Sequence, residues 1–131
     1  MRYLLDTSVC VQVLRGHPAS VRRLSALGPD AVALPTMAIA ELRYGALRAK
    51  VTRAANARLD SFISVFDIVA FDADAAERHA TIRHALAVAG TPIGERDLIV
   101  AATALSHEFV VATANLRAFQ RVPGLTVEAW E

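Results

Sequence analysis

Short apolar runs alternate with longer stretches of helical periodicity along the chain, and each kind of segment ends at a recognisable stop. Tyr3-Leu4-Leu5 is too short for a buried helix and ends at Asp6 and the small hydroxyls Thr7 and Ser8, so it predicts a buried strand. Ser8 to Arg15 follows as a helix, stopped by Gly16-His17-Pro18, with Pro18 placed to begin a second helix through Leu27. Ala31 to Leu34 predicts a second strand, closed by Pro35, and Thr36 is positioned to cap a helix running to about Lys50. Val51 to Val65 continues as a polar-faced helix. Phe66 to Phe71 alternates as a third strand, and Asp72 and Asp74 open a helix to Ala89. After the turn residues of Gly90 to Gly94, Glu95 to Leu105 predicts a helix rich in small residues. Phe109 to Ala112 predicts a fourth strand, Leu116 and Phe119 a short helix, and Leu125 to Val127 a last strand, with Trp130 closing the core. Strands alternating with helices predict an α/β domain around a mainly parallel sheet.

Composition narrows the class. The chain has 131 residues, 54% of them hydrophobic, enough for one domain with its own core. No uncharged apolar run approaches the roughly 18 residues of a membrane span, and the opening residues lack the zones of a signal peptide. A soluble, cytoplasmic protein with no membrane role is expected. The single cysteine, Cys10, lies between Val9 and Val11 and reads as a small buried hydrophobe. Net charge is only +1, so bulk charge does not announce a nucleic-acid partner. Its distribution is more telling: Arg43, Arg48, Lys50, Arg53 and Arg58 fall between Glu41 and Asp60 with no acid among them. That run is either a solvated helix face or a surface for phosphate or carboxylate groups.

The candidate chemistry is carboxylate chemistry. Asp6 stands at the carboxyl end of a predicted strand, where open parallel sheets place their ligands, although the same residue could simply cap the next helix. Glu41 shares a stripe with Met37, Ala40 and Tyr44, so it either interrupts an apolar face or reaches water at its edge. Asp97 falls on the stripe of Val100, Ala101 and Ala104, an unusual place for an acid that merely complements a helix dipole. Thr113 and Asn115 end the fourth strand as Asp6 ends the first. If these ends meet, three carboxylates, a hydroxyl and an amide form a hard-oxygen site suited to Mg²⁺ or Mn²⁺, and a cation would relieve their mutual repulsion. His79 and His84 are five residues apart and face different ways on a helix, which speaks against zinc.

Four segments carry a resemblance: Leu4-Leu5-Asp6-Thr7-Ser8; Ile39-Ala40-Glu41-Leu42-Arg43-Tyr44-Gly45; Thr91-Pro92-Ile93-Gly94 with Asp97 and Ala101-Ala102; and Thr113-Ala114-Asn115 through Phe119, Pro123-Gly124-Leu125 and Trp130. In this order they resemble the PIN-domain ribonucleases, specifically the VapC toxins of bacterial VapBC toxin–antitoxin modules, over essentially the whole chain. The resemblance implies a single PIN domain over residues 1–131, a three-layer fold with about five short strands flanked by helices. It also implies a Mg²⁺- or Mn²⁺-dependent endoribonuclease that cleaves tRNA, rRNA or mRNA and so inhibits translation and growth. Asp6, Glu41 and Asp97 match the family's metal-binding acids, and Thr113 and Asn115 the polar positions that complete the catalytic pocket. Thr7 is expected beside Asp6, and Thr7, Arg43, Arg48, Lys50 and Arg53 are candidates for substrate binding. The implied partners are RNA, a VapB-like antitoxin, a second copy in a homodimer, and a toxin–antitoxin hetero-oligomer. Two departures stand out: Asn115 replaces a fourth acid, and Glu95-Arg96 precedes Asp97, with Glu95 expected on the surface.

Two rival readings differ in class. Asp67 to Asp72 has the look of a strand ending in an acceptor aspartate, as in a receiver-type phosphoacceptor signalling domain. Such a domain needs a second acid beside Asp6 and a lysine late in the chain, and both are missing. A PIN-like scaffold that binds without cleaving is the other alternative.

Overall fold

A computed structural model of the chain describes residues 1–130. Five strands form one sheet: β1 (Tyr3–Leu5), β2 (Val32–Pro35), β3 (Asp67–Val69), β4 (Val110–Thr113) and β5 (Val127–Ala129). Their spatial order is β3-β2-β1-β4-β5, and every pairing is parallel. Seven α-helices complete the fold: α1 (Thr7–Leu14), α2 (Pro18–Leu27), α3 (Thr36–Leu47), α4 (Thr52–Ile63), α5 (Ala73–Ala89), α6 (Glu95–Ser106) and α7 (Leu116–Phe119).

The pleat of the strands sorts their side chains into two cores. Successive residues point to opposite faces, so Leu4, Ala33 and Val111 pack on one side against Ile82 and Leu86 of α5 and Leu98, Ala101 and Ala102 of α6. Leu5, Val32, Leu34 and Ala112 pack on the other side against Val9 and Cys10 of α1, Leu42 and Ala46 of α3, and Trp130. The central strands are therefore buried on both faces, which explains why they read as unbroken apolar runs. The result is the three-layer arrangement expected, with the sheet entirely parallel.

Several boundaries differ from expectation for identifiable reasons. Pro35 ends the second strand from inside it, paired with Val69, and it occupies the N-cap position of α3 without a side-chain cap. Thr36 is therefore the first helical residue and not the cap; its hydroxyl accepts the Phe71 N–H instead. The helix stops at Leu47, three residues before Lys50. The last strand lies two residues later than Leu125 to Val127, because Val111 pairs with Val127 and Thr113 with Ala129.

The edge strand β5 is tied down by a polar knot. The Arg23 guanidinium donates to both Glu128 carboxylate oxygens, at 3.0 and 3.1 Å, and to the Tyr3 hydroxyl at 3.2 Å. It also lies over the rings of Tyr3 and Trp130, and the Trp130 indole donates to Glu128 at 2.6 Å. Partial burial alone would raise the Glu128 carboxyl, but the Arg23 and Trp130 bonds outweigh it and hold the group below its ordinary value. A depressed carboxyl stabilises the fold above its unfolded pKa, and that stability is lost as pH falls through the folded value. Arg23→Ala is expected to lower the melting temperature at pH 7 by about 4 °C, from roughly 1 kcal/mol of half-exposed ion pair and ring contact. The deficit should shrink as pH falls below about 4; a deficit that is the same at pH 3 and pH 7 in thermal melts would contradict the assignment.

Candidate active site

In an open α/β sheet, ligands bind beyond the carboxyl ends of the strands, where the strand order reverses. Here the chain builds β1, β2 and β3 outward in one direction and then returns to add β4 and β5 on the other side, so that point lies between β1 and β4. Leu5 pairs with Ala112, which sets Asp6 beside Thr113, one residue further along each strand.

Asp6 is only 5% exposed and its carboxylate is almost fully used by the protein. One oxygen, Oδ1, accepts the Ser8 hydroxyl at 2.6 Å and the Val9 N–H at 3.1 Å. The other, Oδ2, accepts the Thr113 hydroxyl. Asp6 is thus the N-cap of α1, as one reading of the sequence had it. The two roles coexist, because a carboxylate offers about four lone-pair sites and three are taken. Burial raises its proton affinity above the ordinary value, and the Ser8, Thr113 and Val9 bonds work in the opposite direction.

Asp6, Glu41, Asp97 and Asn115 line one cavity of about 600 Å³, together with Thr7, Ser8, Gly94, Glu95, Arg96 and Val100. Asp97 enters from the first turn of α6, held on the buried stripe of Val100, Ala101 and Ala104. Burial, and then the charges of Asp6 and Glu41, push its carboxyl above the ordinary value. Glu41 reaches the cavity from α3, but not across a buried apolar stripe. The buried face of that helix is Ala38, Leu42 and Ala46, while Ala40 and Tyr44 are exposed. Glu41 stands at the helix edge, where its Oε1 accepts the Thr7 hydroxyl at 2.7 Å and Oε2 meets the Arg96 guanidinium at 3.4 Å.

The other candidates divide. Thr7 serves Glu41 and not Asp6, and it lies on the cavity wall. Thr113 is completely buried and is not part of that wall. Its hydroxyl donates to Asp6 and accepts the Asn115 N–H at 2.8 Å. None of the four basic candidates lines the acid cavity. Arg43 turns to Asp60 at 2.7 Å and to Asn56, and Arg48 lies over the Tyr44 ring. Lys50 is exposed in the turn after α3 and Arg53 in the first turn of α4. Glu95 is on the cavity's rim, bonded to His79 at 2.8 Å.

Two residues went unassigned in the sequence. Ser8 links both strand ends, donating to Asp6 and accepting the Ala114 N–H at 3.0 Å; the hydroxyl run after a strand-end acid was its signal. Arg96 provides the guanidinium nearest the acids, and nothing in its sequence position announced that. Cys10 is buried, and burial together with the Asp6 charge pushes its thiol far up, so it is no nucleophile. Asp72 caps α5 and bonds His107, away from the acid cavity. The strand order also differs from the flavodoxin-like 2-1-3-4-5 order of receiver-type domains, so the phosphoacceptor reading falls.

The donor set fits a hard divalent cation. Three carboxylates converge, two of them with raised proton affinity, and among the described residues the one guanidinium in the wall, that of Arg96, pairs with Glu41. Among the described residues, no three acidic, histidine or cysteine side chains close tightly enough to clasp a bare ion.

Acids at the reversal point of a parallel 3-2-1-4-5 sheet define the class, and the PIN-domain family model matches residues 3–125: the chain belongs to the PIN-domain family. Within it, the chain falls among the VapC ribonucleases. It is 34% identical over 130 residues to the tRNA(fMet)-specific endonuclease VapC of Shigella flexneri, covering 99% of this chain and 98% of that protein. It is 32% identical to ribonuclease VapC2 of Rickettsia felis over 133 residues, covering 100% and 99%. Among solved structures, DNA-bound VapBC from Salmonella typhimurium superimposes with a TM-score of 0.94 at 33% identity, covering 100% of this chain and 99% of that one. VapBC2 from Rickettsia felis, bound to a promoter DNA fragment, gives 0.93 at 31% identity with full coverage of both chains.

Proposed function

We propose that the chain is a Mg²⁺- or Mn²⁺-dependent endoribonuclease, the toxin of a toxin–antitoxin pair, working in the cytoplasm. The observation that carries this reading is the meeting of Asp6, Glu41 and Asp97, from three separate elements, in one cavity whose like charges call for a cation. When bound, a divalent cation supplies an acidified water and offsets charge on the phosphate oxygens. The protein's own work is to hold the acids still. Ser8, Val9 and Thr113 fix both oxygens of Asp6, Thr7 fixes one oxygen of Glu41, and the Asn115 amide stands in the wall where it can orient water or a phosphate oxygen. No histidine lines the cavity among the described residues, so the proton of the attacking water would pass to one of the carboxylates.

Several relatives were solved as VapBC complexes, which supports a VapB-like antitoxin as partner in a hetero-oligomer; a toxin homodimer is the further assembly we infer. A groove of about 350 Å³ between α1, α3 and α4, lined by Val11, Leu14, Leu42, Ala46 and Leu59, offers an apolar seat that opens beside the acids through Thr7 and Glu41. The name of the Shigella relative makes tRNA(fMet) the first RNA to try. Induced alone in bacterial cells, the chain is expected to arrest growth within minutes and leave discrete RNA fragments, and the Asp97→Asn variant is expected to do neither. Arrest of equal depth by both proteins would contradict the reading.

A further inference from the structure

A second hollow adjoins the acid cavity. It holds about 350 Å³ and is lined by Thr7, Met37, Ala40, Glu41, Tyr44, Gly45, Arg48 and Arg96. Thr7, Glu41 and Arg96 line both spaces, so one opens into the other across the Arg96–Glu41 contact. Its most unusual member is Tyr44, an aromatic side chain left 62% exposed on α3. Small neighbours leave its surroundings free: Ala40 lies one turn back, and a methyl group added at Gly45 would meet nothing within 4 Å. The Arg48 guanidinium lies 5.5 Å from the ring centroid. Arg96, 72% exposed, completes a second positive group on the side toward the acids.

These features together match one ligand chemistry. Single-stranded RNA is held by stacking unpaired bases on aromatic rings while cations track the phosphates. A phosphodiester lying at the acid cavity must carry its neighbouring nucleotide into one of the adjoining spaces. The groove between α1, α3 and α4 also carries two arginines, Arg15 and Arg58, but its lining holds no aromatic ring on which a base could stack, whereas the Tyr44 hollow joins a ring to Arg48 and Arg96. Four carboxylates around the acid cavity repel a polyanion, and Arg48 and Arg96 are the cations placed to offset that repulsion on this side.

We propose that the Tyr44 hollow is a nucleotide subsite: one unstacked base next to the cleaved bond stacks on the Tyr44 ring, and Arg48 and Arg96 hold the phosphates on either side of it. This rests on the ribonuclease reading of the acid cavity but assigns residues outside it. Arg48 thus acts through this hollow, while Tyr44 and Arg96 join it as determinants of which RNA conformation is accepted.

The test uses the full chain in the Asp97→Asn background, which removes cutting, and a short single-stranded RNA carrying the fluorescent base 2-aminopurine at successive positions. One position is expected to be quenched on binding, and Tyr44→Ala is expected to abolish that quench and weaken affinity on the order of 10-fold. Tyr44→Phe should restore both, since only the ring is needed. Arg48→Gln and Arg96→Gln should each lower the slope of log affinity against log salt by about 0.7. Because these side chains are exposed, unchanged melting temperatures will separate binding loss from misfolding. Unchanged affinity and quench in Tyr44→Ala overturn the subsite and leave the hollow to a protein partner. Loss of affinity in Tyr44→Phe equal to that in Tyr44→Ala also overturns it. The ribonuclease reading fails separately, if the chain with Asp97 intact cuts no RNA while Tyr44-dependent binding persists.

Discussion

Asp97→Asn is expected to reduce RNA cleavage about 10³-fold, roughly 4 kcal/mol of transition-state stabilisation, while making the metal-free protein more stable. The two effects share one cause. Burial and the neighbouring charges of Asp6 and Glu41 raise the Asp97 carboxyl above its ordinary value, so at neutral pH its charge opposes folding. An amide of the same shape keeps the helix start of α6 and removes the repulsion. It also removes an anionic oxygen from the cation's reach. Thermal melts in chelator should show a rise of a few degrees, for about 1 kcal/mol regained, and single-turnover cleavage should show the loss. A variant less stable than the parent in chelator would contradict the electrostatic account, and a variant that cuts at the parent rate would contradict the role of Asp97.

Asp6 behaves differently because the protein, and not only the ligand, depends on it. Asp6→Ala is expected to abolish cleavage and lower the melting temperature by about 10 °C. It strands the Ser8 hydroxyl, the Val9 N–H and the Thr113 hydroxyl, three groups that lose their acceptor in or beside the core. Each such loss costs on the order of 1–3 kcal/mol, and the three together roughly 3 kcal/mol because their relaxation is shared. Asp6→Asn retains an oxygen for Ser8 and Val9 and presents an amide toward Thr113. It should abolish cleavage as fully as alanine with only about a third of the stability loss. Equal melting temperatures for the two variants would show that the hydrogen bonds at Asp6 carry no structural weight.

These contrasts indicate how much of the molecule can be read before it is seen. The central strands were legible because burial on both faces leaves an apolar run with no other interpretation, as in Leu4-Leu5 and Val110-Val111. The polar residues at strand ends were legible for the same reason: a run that stops at Asp6, or turns polar at Thr113, reports where the sheet stops. The register of β5 was not, since pairing with β4 and the clasp of Arg23 on Glu128 decide it, and both are long-range. Periodicity left Glu41 either on an apolar face or at its edge, and could not choose, because the choice rests on tertiary packing: it projects from the helix edge and depends on Thr7, thirty-four residues away, for its orientation. Arg43 looked like a free cation because its partner Asp60 lies on the following helix. The work of Ser8 and Arg96 is likewise tertiary: each joins segments that only the folded chain brings together.

The proposed cation-dependent RNA-cutting centre stands or falls on Asp6, Glu41 and Asp97. The most direct measurement is cleavage of end-labelled tRNA(fMet), with a random-coil RNA alongside, by the purified chain stripped with chelator and then titrated with Mg²⁺ or Mn²⁺. No cutting is expected in chelator, cutting at defined positions as cation is added, and no recovery at any cation concentration in Asp6→Asn or Asp97→Asn. Cutting that persists in chelator, or that either variant retains, would contradict the proposed centre.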